Sequence, residues 1–112
     1  MTQLEADRFH TVDQSTAIAD DCVAPYYLGD RKRRISVARV DGRLYAFDDL
    51  CTCAEPACSL SGGLLTGTTL MCQCHGTQFD ITTGAVVRGP ATTEPLYVYT
   101  VQEVDGAIQV RA

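Results

Sequence analysis

Two short cysteine-bearing segments constrain this chain more than any other feature. CTCAEPAC, residues 51 to 58, and CQCHGTQFD, residues 72 to 80, together hold five of its six cysteines. Between them runs SLSGGLLTGTTLM, where Gly62, Gly63 and Gly67 permit tight turns and Leu64, Leu65 and Leu70 can anchor a connecting strand. Two loops facing each other across a small apolar base can close over a metal centre, because thiolates and imidazole suit both zinc and iron–sulfur clusters. A disulfide framework is the competing reading of six cysteines. It requires an oxidising compartment, and the opening residues MTQLEADRFH show neither a basic n-region nor an apolar h-region. The expectation is a cytoplasmic protein whose clustered cysteines serve a metal or a redox centre.

At 112 residues the chain has room for one domain, 1–112, with a modest core. No window approaches eighteen uninterrupted apolar residues, so no membrane span is expected. A net charge of -5 argues against non-specific nucleic-acid binding, which draws on Lys and Arg to neutralise phosphates, and suits a soluble partner with a basic docking face. Helix signal is weak: DQSTAIADD, residues 13 to 21, lacks a long apolar stripe and reads as a loop or brief helix. Strand signal is strong. Ile35 to Val40 and Leu44 to Phe47 flank Asp41-Gly42, and LYVYTVQEV and AIQVR flank Asp105-Gly106, so two hairpins with Asp-Gly turns are expected. His10 falls in an N-terminal strand or loop. The run Arg31-Lys32-Arg33-Arg34 after Gly29-Asp30 reads as a solvated hairpin turn, with contact to an acidic partner as the alternative. The pairs Asp20-Asp21 and Asp48-Asp49 read as solvated loop residues, with a docking role for Asp48 or Asp49 as the alternative.

The string CTC…CSLSGGLLTG…CQCHGTQFDITTGAVVRGPAT resembles the Rieske-type [2Fe–2S] ferredoxins. Their pattern is Cys-x-His, about sixteen residues, then Cys-x-x-His-Gly, followed by Phe-Asp and Thr-Gly. The resemblance extends over nearly the whole chain, since ISVARVDGRLYAFDD before it and GPATTEPLYVYTVQ after it fit the same β-framework. It implies an all-β, Rieske-like antiparallel β-sandwich with a two-loop cluster-binding subdomain inserted at about residues 48 to 88. Cys72 and His75 fall on the second motif's ligand positions; Gly76, Phe79, Asp80, Thr83 and Gly84 fit residues that shape that loop. Gly89 and Pro90 match the third loop, which covers the cluster.

The first motif departs from the family, with CTC in place of CTH. Counted from upstream, AFDDLCTC puts Cys51 on the cysteine ligand and Cys53 on the histidine. Counted from downstream, CSLSGG and the nineteen-residue step from Cys53 to Cys72 put Cys53 on the cysteine and Glu55 on the histidine. A two-residue insertion accounts for the disagreement. The chain has two histidines, His10 and His75, so the second motif supplies one imidazole and the first supplies none. Glu55 is a hard ligand, poorly suited to an iron already bound to sulfide when a thiolate stands two residues away. The resemblance and this inventory favour Cys51, Cys53, Cys72 and His75 as ligands. Cys58 and Cys74 match the places where some family members carry a disulfide between the two loops, so the resemblance implies that bridge. Two buried thiols are the alternative, in which case Cys58 competes with Cys51 or Cys53 as ligand.

A third thiolate leaves the oxidised core one negative charge where two leave it neutral, and a more negative centre accepts an electron less readily. The expected potential lies between the about -150 to +300 mV of Rieske centres and the roughly -400 mV of four-cysteine plant-type ones. Thr77 can donate its hydroxyl toward the cluster, while Phe79 stands where high-potential members carry a tyrosine hydroxyl; fewer donors lower the potential. With one histidine ligand, a single proton couples to reduction.

These features point to a one-electron carrier. The resemblance implies a flavin-dependent ferredoxin reductase upstream and a terminal oxygenase downstream, either a Rieske dioxygenase or a cytochrome P450. Two other readings are a Rieske-like accessory domain or subunit of a larger redox enzyme, of the nitrite-reductase small-subunit type, and a structural zinc-binding domain on the same four ligands. Catalysis in its own right is not expected, because no Ser-His-Asp set, phosphate loop or paired-carboxylate signature occurs.

Overall fold

In the computed structural model, residues 9–29, 33–50, 59–74, 76–89 and 94–111 are described. Among them are ten strands: β1 (Phe9–Gln14), β2 (Cys22–Leu28), β3 (Arg33–Val40), β4 (Arg43–Asp48), β5 (Leu64–Thr66), β6 (Thr69–Met71), β7 (Gln78–Asp80), β8 (Val86–Arg88), β9 (Val98–Val104) and β10 (Ala107–Arg111). Both Asp-Gly hairpins form. Asp41 and Gly42 turn β3 into β4 at φ 51° and 79°, and Asp105 and Gly106 turn β9 into β10 at φ 51° and 77°. Positive φ at both central residues matches the right-handed twist of the flanking strands.

The strands make two sheets, antiparallel throughout. The larger runs β1-β10-β9-β4-β3-β2 and the smaller β5-β6-β7-β8. Within the larger sheet β4 and β9 share only the pairs Ala46↔Tyr99 and Phe47↔Val98. This short seam lets the sheet fold over itself. Leu28 from β2 and Ile108 and Val110 from β10 therefore bury in one core with Ile35, Val37, Ala46 and Tyr99. That is the β-sandwich expected from the sequence.

Strand β3 is buried on both faces. Ile35 and Val37 enter the sandwich core, while Ala38 and Val40 point the other way into a second core with Phe47, Leu60, Leu70, Cys72, Phe79, Ile81 and Leu96. Period-two alternation thus gives one strand two apolar faces. The second core fastens the small sheet, which lies between β4 and β9 in the chain, to the sandwich.

Some expectations need correction. DQSTAIADD does hold the expected brief helix, one 3-10 turn at Ser15–Ala17, but Asp13 and Gln14 belong to the end of β1. Leu64 does not anchor the connecting strand; it faces solvent, while Leu70 is fully buried. Asp49 is no solvated loop residue but is fully buried. Arg34 is not merely part of a solvated turn: it lies in β3 and pairs with Asp49. Arg33 places its Nη1 3.1 Å from the Tyr99 hydroxyl and its guanidinium carbon 5.9 Å from that ring's centre. Arg31 and Lys32 lie outside the described residues.

Gly84 and Gly42 both have positive φ, yet a Cβ at Gly84 would sit 1.9 Å from the Leu96 carbonyl oxygen while one at Gly42 meets nothing within 4 Å. Gly42→Ala should cost about 1 kcal/mol of backbone strain. Gly84→Ala should cost distinctly more, because backbone must also move; urea unfolding of the two variants checks the order.

Candidate metal centre

The second cysteine segment leaves β6 and returns into β7 through a knuckle closed by the backbone. Cys72 N–H donates to the Thr77 carbonyl at 2.7 Å, and Gly76 N–H donates to the Cys72 carbonyl at 3.0 Å. Gly76 takes φ 74°, which glycine adopts without strain. Beyond it, the FDITTG stretch is a tight turn. Asp80 accepts from the Thr82 N–H at 2.9 Å and hydroxyl at 2.7 Å, and its carbonyl accepts from Gly84 N–H at 2.7 Å. Of the positions that looked loop-shaping, Asp80 acts through Asx-turn chemistry, Gly76 through its positive φ and Gly84 through its close approach to the Leu96 carbonyl.

Cys72 is 1% exposed and outside any disulfide, with its thiol set among Leu60, Leu70 and Phe79. Thr77 is equally buried, and its Oγ1 has no hydrogen-bond partner among the described residues. The third segment closes down here, since a Cβ on Gly89 would come within 2.8 Å of the Thr77 Cγ2. Cys74 is exposed and disulfide-bonded, and because Cys22 and Cys72 are not, its partner lies outside the described residues. Phe79 is fully buried in the core shared by the two sheets.

The first cysteine segment departs after Leu50 and returns at Ser59, two residues joined by an antiparallel bridge. Asp49 gathers this base. Its Oδ1 accepts from the Ser36 hydroxyl at 2.6 Å and the Ser61 N–H at 2.8 Å. Its Oδ2 accepts from the Ser59 hydroxyl at 2.6 Å and from the Arg34 Nε, and its carbonyl accepts from the Leu60 N–H. Burial pushes the Asp49 carboxyl upward, but hydrogen bonds from Ser36, Ser59 and Ser61 outweigh it and hold the group below the ordinary carboxylate range. The second loop reaches the same base: Gln73 Nε2 lies 3.5 Å from the Ser59 carbonyl and crowds Gly62. Gly63 is required by close approach, since a Cβ there would stand 2.2 Å from the Met71 carbonyl oxygen.

Of the expected ligands Cys72 is described, whereas Cys51, Cys53 and His75 lie outside the described residues, as do Glu55, Cys58 and Pro90. Among the described residues no three candidate ligands cluster. Cys72, Thr77 and Gly76 are brought together on one knuckle; His10 lies on β1, at the edge of the other sheet. Sequence reasoning missed Asp49. The signal available was an Asp closing an apolar strand, followed past the cysteine loop by Ser-Leu-Ser, donors well suited to a carboxylate.

What the described residues offer is a buried thiol, an orphaned buried hydroxyl aligned on the same loop, and glycines that let a third segment approach. This donor set fits a thiolate-ligated metal cluster that accepts hydrogen bonds. The fold and site thus define a small β-sandwich protein with a second, four-stranded sheet that carries a buried thiol. The Rieske [2Fe–2S] domain model matches residues 8–105, and the chain belongs to that family. The anthranilate 1,2-dioxygenase ferredoxin subunit of Burkholderia cepacia is 31% identical over 110 residues, covering 98% of this chain and 97% of that one. Ferredoxin CarAc of Metapseudomonas resinovorans is 37% identical over 76 residues, 68% of each chain. Among solved structures, the Sphingomonas yanoikuyae B1 ferredoxin superposes with a TM-score of 0.81 at 27% identity, covering 94% of this chain and 99% of that one. The chain is a Rieske-type ferredoxin, an electron carrier rather than an enzyme, and its cofactor is a [2Fe–2S] cluster.

Thr77→Val removes the orphaned hydroxyl and keeps the shape. The apoprotein should unfold at the same or slightly higher denaturant concentration, because no hydrogen bond among the described residues is lost. The holoprotein's potential should fall by on the order of 50 mV, the equivalent of one hydrogen bond of about 1 kcal/mol. Voltammetry and urea unfolding read the two effects separately.

Proposed function

We propose that the chain carries single electrons from a flavin-dependent ferredoxin reductase to the terminal oxygenase of a Rieske dioxygenase system, in the cytoplasm, with its cluster held by Cys51, Cys53, Cys72 and His75. The observation that carries this reading is the buried Cys72 thiol beside the orphaned Thr77 hydroxyl, on the loop whose sequence matches the family's second ligand motif. When bound, the cluster accepts and releases one electron. Cys72 supplies a thiolate from the floor of the site, and Leu60, Leu70 and Phe79 keep water from its inner side. Gly76 gives the knuckle its turn, and Gly89 with Pro90 begins the covering segment. The Cys58–Cys74 disulfide ties the first loop to the second.

Support for the oxygenase comes from the company the fold keeps. A ferredoxin solved in complex with the reduced oxygenase of carbazole 1,9a-dioxygenase superposes with a TM-score of 0.80 at 28% identity, covering 92% of each chain. That relationship favours a Rieske dioxygenase over a cytochrome P450 as acceptor. The net charge of -5 favours a protein partner with a basic face over nucleic acid, and among the described residues no helix is long and apolar enough to cross a membrane.

Mixing the reduced protein anaerobically with an oxidised Rieske dioxygenase should bleach the oxygenase's oxidised visible spectrum in a stopped-flow trace. Failure to transfer to any member of that class while reducing a P450 would move the acceptor assignment. Cys53→His, which restores a second imidazole in place of a thiolate, should shift the potential upward toward the about -150 to +300 mV window of two-histidine centres. An unchanged potential would remove Cys53 from the ligand set.

A further inference from the structure

Asp49 accepts five hydrogen bonds that meet at the neck of the first cysteine loop, and the electron-carrier assignment does not use any of them. Its two carboxylate oxygens and its carbonyl bind Ser59, Leu60 and Ser61, the three residues on which the loop returns. On the other side they bind Ser36 and Arg34 of β3, the strand fixed in both cores. Without these contacts the return end is held to the departing end by the isolated Leu50–Ser59 bridge. Ser59 also meets Gln73 of the second loop, so the same neck sets the spacing of both ligand-bearing segments.

We propose that Asp49 is the positioning residue of the cluster site, a buried latch that holds the neck of the first loop closed so that its cysteines stay within reach of the ligands on the second. This rests on the assignment of the first loop as ligand-bearing. A thiolate that lets go of iron is recaptured quickly only if its loop cannot swing away, so the latch acts on cluster retention more than on folding. Only a carboxylate serves. Every partner of its side chain is a donor in the observed geometry: the Ser36 and Ser59 hydroxyls, the Ser61 N–H and the Arg34 Nε. Asparagine would turn an N–H₂ toward one of those pairs, setting donor against donor. Arg34 is half-exposed and gives Asp49 one hydrogen bond of several, with a long 3.3 Å contact from its Nη2 to the Ser59 hydroxyl, so its removal should matter less.

The test compares holoproteins of wild type, Asp49→Asn, Ser36→Ala and Ile108→Ala. Ile108 lies fully buried in the sandwich core, away from the loops, and truncating it lowers global stability without touching the neck. Iron loss to a chelator is timed under conditions where urea unfolding shows every variant folded, and backbone amide exchange is followed at Leu60 and Ser61. Asp49→Asn should shorten the retention half-time at least tenfold, broaden the EPR spectrum of the reduced protein, and expose the Leu60 and Ser61 amides. Ser36→Ala, which removes one donor, should do so by a few-fold, and it serves as the test if Asp49→Asn fails to fold. Ile108→Ala should keep its iron within twofold of wild type. Equal iron loss in Ile108→Ala and the neck variants, or unchanged retention in both neck variants, would overturn the latch. A wild type that binds no iron would overturn the cluster assignment instead, and the latch would then stand or fall on the Leu60 and Ser61 amides alone.

Discussion

The structure depends on a single hairpin, β3 and β4, whose strands are packed on both sides. Ile35, Val37 and Ala46 face the sandwich core, while Ala38, Val40 and Phe47 face the core beneath the small sheet. Each of the larger side chains buried on either face contributes roughly 1.5–3 kcal/mol relative to exposure. The hairpin therefore has no face free to shift against a neighbour. Its far end is Asp49, and from that fixed point the chain enters the first cysteine loop. A rigid scaffold carrying a site on loops is the common solution where ligands must be irregularly placed and held in register.

Burying a carboxylate at such a point is costly unless each lone pair finds a donor. Here the donors come from both the scaffold and the loop, so the group that satisfies its own charge also joins the two. Asp48, its neighbour, does the corresponding work one position earlier on the surface side: it accepts from the Tyr99 hydroxyl, and its N–H donates to the Tyr97 carbonyl at 2.9 Å. Tyr99's hydroxyl is pushed up by burial and by the Asp48 carboxylate, so it stays protonated and remains a donor. The two acidic residues that look alike in sequence thus close β4 against β9 and against the cluster loops respectively.

Much of this was legible in the sequence, for reasons that differ between elements. The Asp-Gly turns and the alternating runs beside them are local signals, and both hairpins form where they indicate. The second cysteine motif was legible because Gly76 and Asp80 act through nearby backbone. The role of Asp49 was not, because its partners lie thirteen residues upstream at Ser36 and ten downstream at Ser59, and their approach exists only once the sheets have paired. Leu64 illustrates the opposite error: an apolar residue in an apolar run, turned outward by the alternation of a three-residue strand. Gly63 and Gly84 look like generic turn residues, yet each is fixed by a carbonyl oxygen from a distant segment.

In the proposed site, Cys51 and Cys53 of the first loop would offer thiolates, and Cys72 and His75 of the second a thiolate and an imidazole. With one neutral ligand exchanged for an anionic one, the site would hold its electron less tightly than its two-histidine relatives, which suits a donor. The most direct measurement is pulsed EPR of the reduced, anaerobically purified protein with and without nitrogen-15 histidine, counting the imidazole nitrogens bound to the cluster. The account predicts one. Two would mean that His10 also ligates, and none would remove His75 from the site; either would contradict it.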